Sequence, residues 1–421
     1  MTGWRRLTSL RPRELLTSTA AGALLISGCG VLPGASDSRE PVTVMTWAPD
    51  TTGADTVNMA GMPAMARTYA RWINEKGGID GHELRVLTCN EQDTAAGASK
   101  CARRAVDKDV AAVVGSYSRH GRAFLAPLEA AGIPYIGGYG ASADEFTSYL
   151  SYPVNGGQPA LVAGNGEQLA ASCERVSLVR PDTLVGDTMP GLLGTGLGGS
   201  DRPAPYDISA TEEATSYDTE AARAIDKADG GCVTAVLGEG TETFFDSFRR
   251  LEPEDSGIRI SSVLGSVGQA LINRSGGPDS PFEGALVTGW YPEPGDARWN
   301  EMRGVIRKYA FGDNRIDPED TGVQTTWIAY TVLKAVIEAM DRPDIAAGGI
   351  SVSLNRGTEV DTGGLTPVLR WRFQDLVGTA AYGRIVNGRV TFQVVRDGRL
   401  TAEKKGFVDV TENLMNAHTG A

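Results

Sequence analysis

The stretch from Val110 to Ser142, VAAVVGSYSRHGRAFLAPLEAAGIPYIGGYGAS, packs a strand, a helix and a second strand into one short unit. Val110–Val114 is a continuous apolar run, as a parallel strand covered on both faces requires. Gly115 ends it. Ser116, Tyr117 and Ser118 then stand where a helix is expected to begin. Phe124, Leu125 and Leu128 give that helix an apolar stripe. Gly132 and Pro134 stop it. Ile133–Ile136 reads as the next strand, and a second polar turn runs from Gly137 to Ser142.

Two turns that follow neighbouring parallel strands share one edge of a sheet, the edge where open α/β sheets take their ligands. Free N–H groups at a helix start, with the hydroxyls of Ser116 and Ser118, suit a carboxylate or another anionic oxygen. The plainer reading of either serine is an N-cap.

Around this unit the chain is long. Its 421 residues exceed one simple core and suggest about two domains. A formal charge of −12 and the lack of a basic stripe argue against a nucleic-acid surface. Val42–Trp47 reads as the first strand and Leu84–Thr88 as the second. Helices are expected at Met62–Ile73, where Met65, Tyr69 and Ile73 share a face, and at Ala95–Val106. Strand and helix alternating at this spacing predict an α/β fold with a doubly wound parallel sheet.

The N-terminus reads differently. Arg5, Arg6, Arg11 and Arg13 precede Ala20–Ile26, an apolar run too short for an ordinary membrane span. It closes on Ile26-Ser27-Gly28-Cys29, which resembles the lipobox of bacterial lipoproteins. The resemblance implies a signal peptide over 1–28 and a lipid on Cys29 that holds the protein to the outer face of a membrane. An ordinary secretory signal with an incidental cysteine is the other reading. Residues 29–41, small and proline-bearing, read as a tether.

An extracytoplasmic compartment is oxidising, so the remaining cysteines, Cys89, Cys101, Cys173 and Cys232, are expected to pair. Three connectivities are open. The favoured one joins Cys89 to Cys101 and Cys173 to Cys232. Metal binding is disfavoured, with no Cys-x-x-Cys pair and with His82, His120 and His418 scattered. No cofactor is expected.

Asn74, Gly77, Gly78, Ile79 and Gly81, then Asp93, then Val113, Val114, Gly115 and Ser118, then Ala131–Pro134, form an ordered series. It resembles the branched-chain amino acid (leucine/isoleucine/valine) type of extracytoplasmic solute-binding protein, the ligand-capturing subunit of ABC importers. The resemblance implies a type I periplasmic-binding-protein fold of two lobes joined by three crossings, placed near Pro153, Thr288 and Thr362. Lobe 1 then holds 42–153 and 289–362, and lobe 2 holds 154–288 and 363–412. A solute sits in the cleft, and a permease recognises the closed form.

The second half follows the plan more loosely. Helices are expected at Ala160–Ala171, at Thr219–Lys227 with Asp218 as cap, at Trp299–Tyr309 and at Val323–Met340. Ile328, Val332, Ala335, Val336 and Ala339 mark the buried face of the last. Strands are expected at Val176–Arg180, Val233–Leu237, Ile258–Leu264 and Gly284–Thr288. Phe244, Phe245, Phe248 and Leu251 stripe another helix as core. Leu184–Pro205 reads as irregular, and the tail from Arg384 as closing strands.

Carried over by position, the resemblance assigns a ligand carboxylate to Ser118 with the backbone at Ser116 and Tyr117, and to Ala141 with Ser142. The acid that usually meets the ammonium falls on Phe244 here. An ammonium buried without a counter-charge costs several kcal/mol. Either Glu239, Glu242 or Asp187 supplies that charge, or the ligand lacks an ammonium. Arg119, His120 and Arg122 read as solvated surface; facing the cleft, they imply a more anionic ligand. Tyr117, Tyr139 and Trp47 are candidate apolar walls; Tyr152, Trp290 and Tyr291 are candidates for wall or hinge packing. No nucleophile elbow, phosphate loop or triad argues for an enzyme. A sensor lipoprotein that binds a ligand without transport is the alternative function.

Overall fold

The computed structural model describes residues 39–51, 57–198, 202–253, 255–379 and 381–417. The expected signal peptide over 1–28, Cys29 and the tether up to residue 38 lie outside them. No described helix is long and apolar enough to cross a membrane.

Two sheets carry the fold. The first holds β1 (Arg39–Ala48), β2 (His82–Asn90), β3 (Ala112–Val114), β4 (Tyr135–Ile136) and β5 (Ser151–Tyr152). Their order is β2-β1-β3-β4-β5 and every pair is parallel. The second holds β6 (Val176–Pro181), β7 (Tyr206–Ala210), β8 (Cys232–Ala235), β9 (Arg259–Val263), β10 (Leu286–Gly289), β11 (Arg389–Arg396), β12 (Arg399–Ala402) and β13 (Val408–Asp409). Its order is β12-β11-β10-β9-β8-β6-β7, with β13 beside β11. β6 to β10 pair in parallel, and the closing strands β11 to β13 are antiparallel.

β1 starts at Arg39, inside the expected tether. Arg39 faces His82 across the ladder, and its guanidinium pairs with Asp80 and donates to the Arg342 carbonyl at 3.1 Å. Those contacts order residues that composition alone assigns to a linker.

The apolar runs become strands because helices cover both faces of each sheet. In the first lobe the helices Gly61–Glu75 and Thr321–Met340 cover one face, where Tyr69 meets Trp327 at 5.1 Å and Tyr330 at 5.3 Å. On the other face lie Ala95–Asp107 and Gly121–Ala131. Trp47 belongs to that second core, against Phe124 at 5.5 Å and Tyr135 at 6.0 Å, so it is not a cleft wall. Gly115 and Gly137 end β3 and β4 with positive φ of 58° and 60°. A Cβ at Gly137 would lie 2.4 Å from the Ala329 Cβ, and one at Gly115 would lie 3.0 Å from the Thr326 Cα. Only glycine lets Thr321–Met340 lie this close to both turns.

The second lobe corrects several expectations. Asp218 is the first residue of the helix Asp218–Ala228, not its cap, and its carboxylate meets Arg250 at 2.8 Å. Phe244, Phe245 and Phe248 are core, but Leu251, at the end of the helix Gly240–Leu251, is exposed. In the first lobe Ala339, in the last turn of its helix, is exposed. The Leu184–Pro205 stretch contains the helix Met189–Gly198, and β7 follows it. Disulfides join Cys89 to Cys101 and Cys173 to Cys232, with Cα atoms 5.8 and 5.7 Å apart.

The chain leaves the first sheet after β5 and the second after β10. Near Thr362, where the third crossing is expected, the chain makes a local turn with the Thr362 and Thr366 hydroxyls 2.8 Å apart. The return runs beside the first crossing: the Trp371 indole donates to the Pro153 carbonyl at 3.0 Å, and the Asn387 amide to that of Val154 at 3.2 Å. The second sheet resumes only at β11.

Candidate functional site

Parallel strands place their C-terminal ends, and the loops that follow, on one edge of each sheet. Loops after β1 and β4 in the first lobe face loops after β8 and β9 in the second. They enclose a cavity of about 300 Å³. Asn58, Met59, Tyr139, Asp320 and Thr321 line it from one side, and Gly238, Glu239, Gly265, Ser266, Gln269 and Ala270 from the other. The lobes approach closely: a Cβ at Gly265 would lie 3.3 Å from the Tyr139 hydroxyl.

An aromatic row backs this cavity. Tyr139 packs on Tyr117 at 5.1 Å and meets Trp290 edge-on at 5.3 Å. Tyr152 and Tyr291 pack the crossings. Tyr152 lies against Trp371 at 6.2 Å, and the Tyr291 hydroxyl meets the Asn155 amide and the Thr325 hydroxyl, each at 3.0 Å.

The serine turns are buried and internally bonded. The helix after the first turn starts at Gly121, with His120 at the N-cap, so neither serine occupies that position. Ser116 Oγ accepts from the Trp47 N–H at 3.0 Å, and the Tyr117 N–H donates to the Trp47 carbonyl at 3.0 Å. Ser118 Oγ donates to Glu91 Oε2 at 3.0 Å and accepts from the His120 N–H at 3.1 Å. Glu91 is fully buried, and its Oε1 and the His120 Nε2 have no hydrogen-bond partner. Burial pushes the Glu91 carboxyl up to about 7, against the opposing pull of Ser118.

The second turn is closed by a carboxylate of its own. Glu145 is buried and accepts from the Ser142 N–H at 3.1 Å and the Gly140 N–H at 3.2 Å. Ser142 caps the short helix Ala143–Phe146, completing a reciprocal capping box. Burial outweighs the N–H bonds and raises Glu145 to about 8. Ala141 and Ser142 do not line the main cavity. They line a smaller, mostly apolar one of about 240 Å³, with Leu184, Val185, Met189 and Tyr382.

Of the three acids weighed for an ammonium, Glu239 alone lines the main cavity. It is exposed at the N-cap of Gly240–Leu251. Glu242 is paired with Arg274 at 2.9 Å, and Asp187 with Arg180 at 2.6 Å; Arg180 also holds Asp207 at 2.9 Å. Phe244 is fully buried core. Asp320 was not expected. It caps Thr321–Met340 by accepting from the Val323 N–H at 2.9 Å, and burial raises it to about 6. An Asp before an apolar helix is a legible cap, but nothing in the sequence says that its helix points at the cleft. Arg119 pairs with Asp93, Arg122 is exposed, and His120 Nε2 lies 4.0 Å from Asp93 Oδ1. Among the described residues no cluster of His, Cys, Asp and Glu is arranged to hold a metal ion.

Solved structures share this architecture. A branched-chain amino acid ABC transporter protein from Thermus thermophilus with bound valine is 15% identical, covers 91% of this chain and 100% of its own, and superposes with a TM-score of 0.70. A substrate-binding periplasmic protein from Ralstonia solanacearum is 17% identical over 86% of this chain and 100% of its own, with a TM-score of 0.68. An ABC transporter substrate-binding protein from Desulfitobacterium hafniense in complex with Leu is 16% identical over 86% and 100%, with a TM-score of 0.64. No curated protein sequence matches. At these identities the likeness establishes the fold. The periplasmic binding protein family model matches residues 46–374, most of the chain and both lobes. This chain therefore belongs to the periplasmic binding protein family, whose members bind ligands extracytoplasmically and are not enzymes.

Proposed function

We propose that this protein is a membrane-anchored solute-binding protein. It captures a small polar solute, an amino acid or a related compound, between its lobes and delivers it to the permease of an ABC importer. The cavity of about 300 Å³ lined from both lobes carries the reading. Such a volume holds a small solute, and contacts from both sides couple occupancy to closure. The N-terminal run ending in Cys29 supports a lipid anchor, and the valine and leucine named with the two transporter relatives support the solute class.

A thermal-shift screen of the soluble chain from Ser36 tests it, against amino acids, amines, amides and small acids. A solute at 100 times its dissociation constant adds about 2.7 kcal/mol, a visible rise in melting temperature. The expected result is a saturable rise with one chemical class. Flat melting temperatures across every class contradict the reading.

A further inference from the structure

We propose that the cleft takes an organic cation without a carboxylate, a protonated amine held by Glu239 and Asp320 against the Tyr139 ring. The proposal rests on the solute-binding reading and, within its solute class, favours a related amine over an amino acid.

The first observation concerns the groups that would hold a ligand carboxylate. Most of them are already matched inside the first lobe. The N–H groups of Gly140 and Ser142 donate to Glu145 at 3.2 and 3.1 Å. The Ser118 hydroxyl donates to Glu91 at 3.0 Å, and Arg119 is paired with Asp93. The Tyr117 N–H is spent on the Trp47 carbonyl. A ligand carboxylate gains these donors only by displacing a protein acid or, at Tyr117, a backbone carbonyl from them. Glu91 and Glu145 are buried, so displacement leaves a carboxyl group buried without its partners.

The second observation is the charge of the cavity. Four acidic or basic residues line it. Two are neutralised, Arg274 by Glu242 and Glu319 by Arg399. Glu239 and Asp320 have no basic partner among the described residues. They come from opposite lobes and line the cavity together with Tyr139. Carboxylates from two lobes with the Tyr139 side chain beside them suit an ammonium group. Burial of Asp320 without a counter-charge, which holds its proton on to about 6, is the cost that a bound cation removes.

Titration calorimetry with 3-methylbutylamine and with leucine tests this, because the two share a side chain and differ in the carboxylate. The amine is expected to bind, and leucine to bind at least about tenfold more weakly. Glu239→Gln, at an exposed position where folding is not at stake, is expected to weaken the amine about tenfold or more, as loss of a charge-assisted hydrogen bond does. Leucine binding as tightly as the amine, or unchanged amine affinity in Glu239→Gln, overturns the cation class and leaves the protein a solute receptor. Neutral or anionic solutes stabilising the protein while neither probe binds overturns the class alone. Silence from both probes and from the whole thermal-shift screen overturns the class and the solute-binding reading together.

Discussion

Glu145 shows how a residue that reads as an ordinary helix-start acid governs the second turn. Its carboxyl group is buried, holds two backbone N–H groups and is raised to about 8. In the unfolded chain such a group titrates near the ordinary glutamate value, about 4.3. Between those two values the folded state binds the extra proton, so stability is greatest at the acid end and falls as pH rises toward about 8. Glu91, raised to about 7, adds to the same slope. Urea unfolding from pH 5 to 8 is expected to show this decline. Glu145→Gln, which removes this titration, is expected to lower the slope and leave the Glu91 part of it. An undiminished slope in the variant contradicts the assignment.

At the scale of elements, the parallel strands were legible because burial on both faces leaves unbroken apolar runs, as Val110–Val114 does. Element ends were less so, because they depend on partners distant in sequence: Asp80 for Arg39, Arg250 for Asp218. The helix Met189–Gly198 was missed because its glycines read as turn residues. Their use is close packing. A Cβ at Gly196 would lie 2.2 Å from the Ala163 carbonyl oxygen, and one at Gly166 would lie 2.1 Å from that of Leu193, so two helices meet backbone to backbone. The strip of chain that runs back beside the first crossing was hard to read because indole and amide donors tie it there. Of the expected site, Tyr139 and Glu239 line the main cavity, Ser118 is bonded to Glu91, and Ser142 lines the smaller cavity with its N–H on Glu145. Which acids already have arginine partners is a three-dimensional fact that spacing does not carry. The packing of Thr321–Met340 on the first lobe gives a direct check. Gly137→Ala sets a methyl against Ala329 in a left-handed backbone position, and is expected to cost about 1–3 kcal/mol in denaturant unfolding. Unchanged stability contradicts that close approach.

For the whole molecule, the lobes meet in two ways. At the crossings, neighbouring chain segments are tied by buried side chains: the Trp290 indole donates to the Gly157 carbonyl at 2.9 Å, and the Asn155 amide to the Tyr291 hydroxyl at 3.0 Å. Across the cleft the link is ionic and partly exposed, Arg399 of β12 to Glu319 of the first lobe. Exposed pairs of this kind contribute about 0.2–1 kcal/mol, little enough for a bound solute to outweigh. A fixed crossing and a weakly held rim are what opening and closing around a solute require.

The central claim is that the solute lies in the cavity between the lobes. Ala270 lines that cavity from an exposed position on the short helix Gln269–Arg274, so an indole there fills the space without entering either core. Titration calorimetry of the most stabilising solute into wild type and Ala270→Trp is the direct test. Loss of binding in a variant that melts at the wild-type temperature is the predicted result. Undiminished affinity in that variant places the solute elsewhere and contradicts the account.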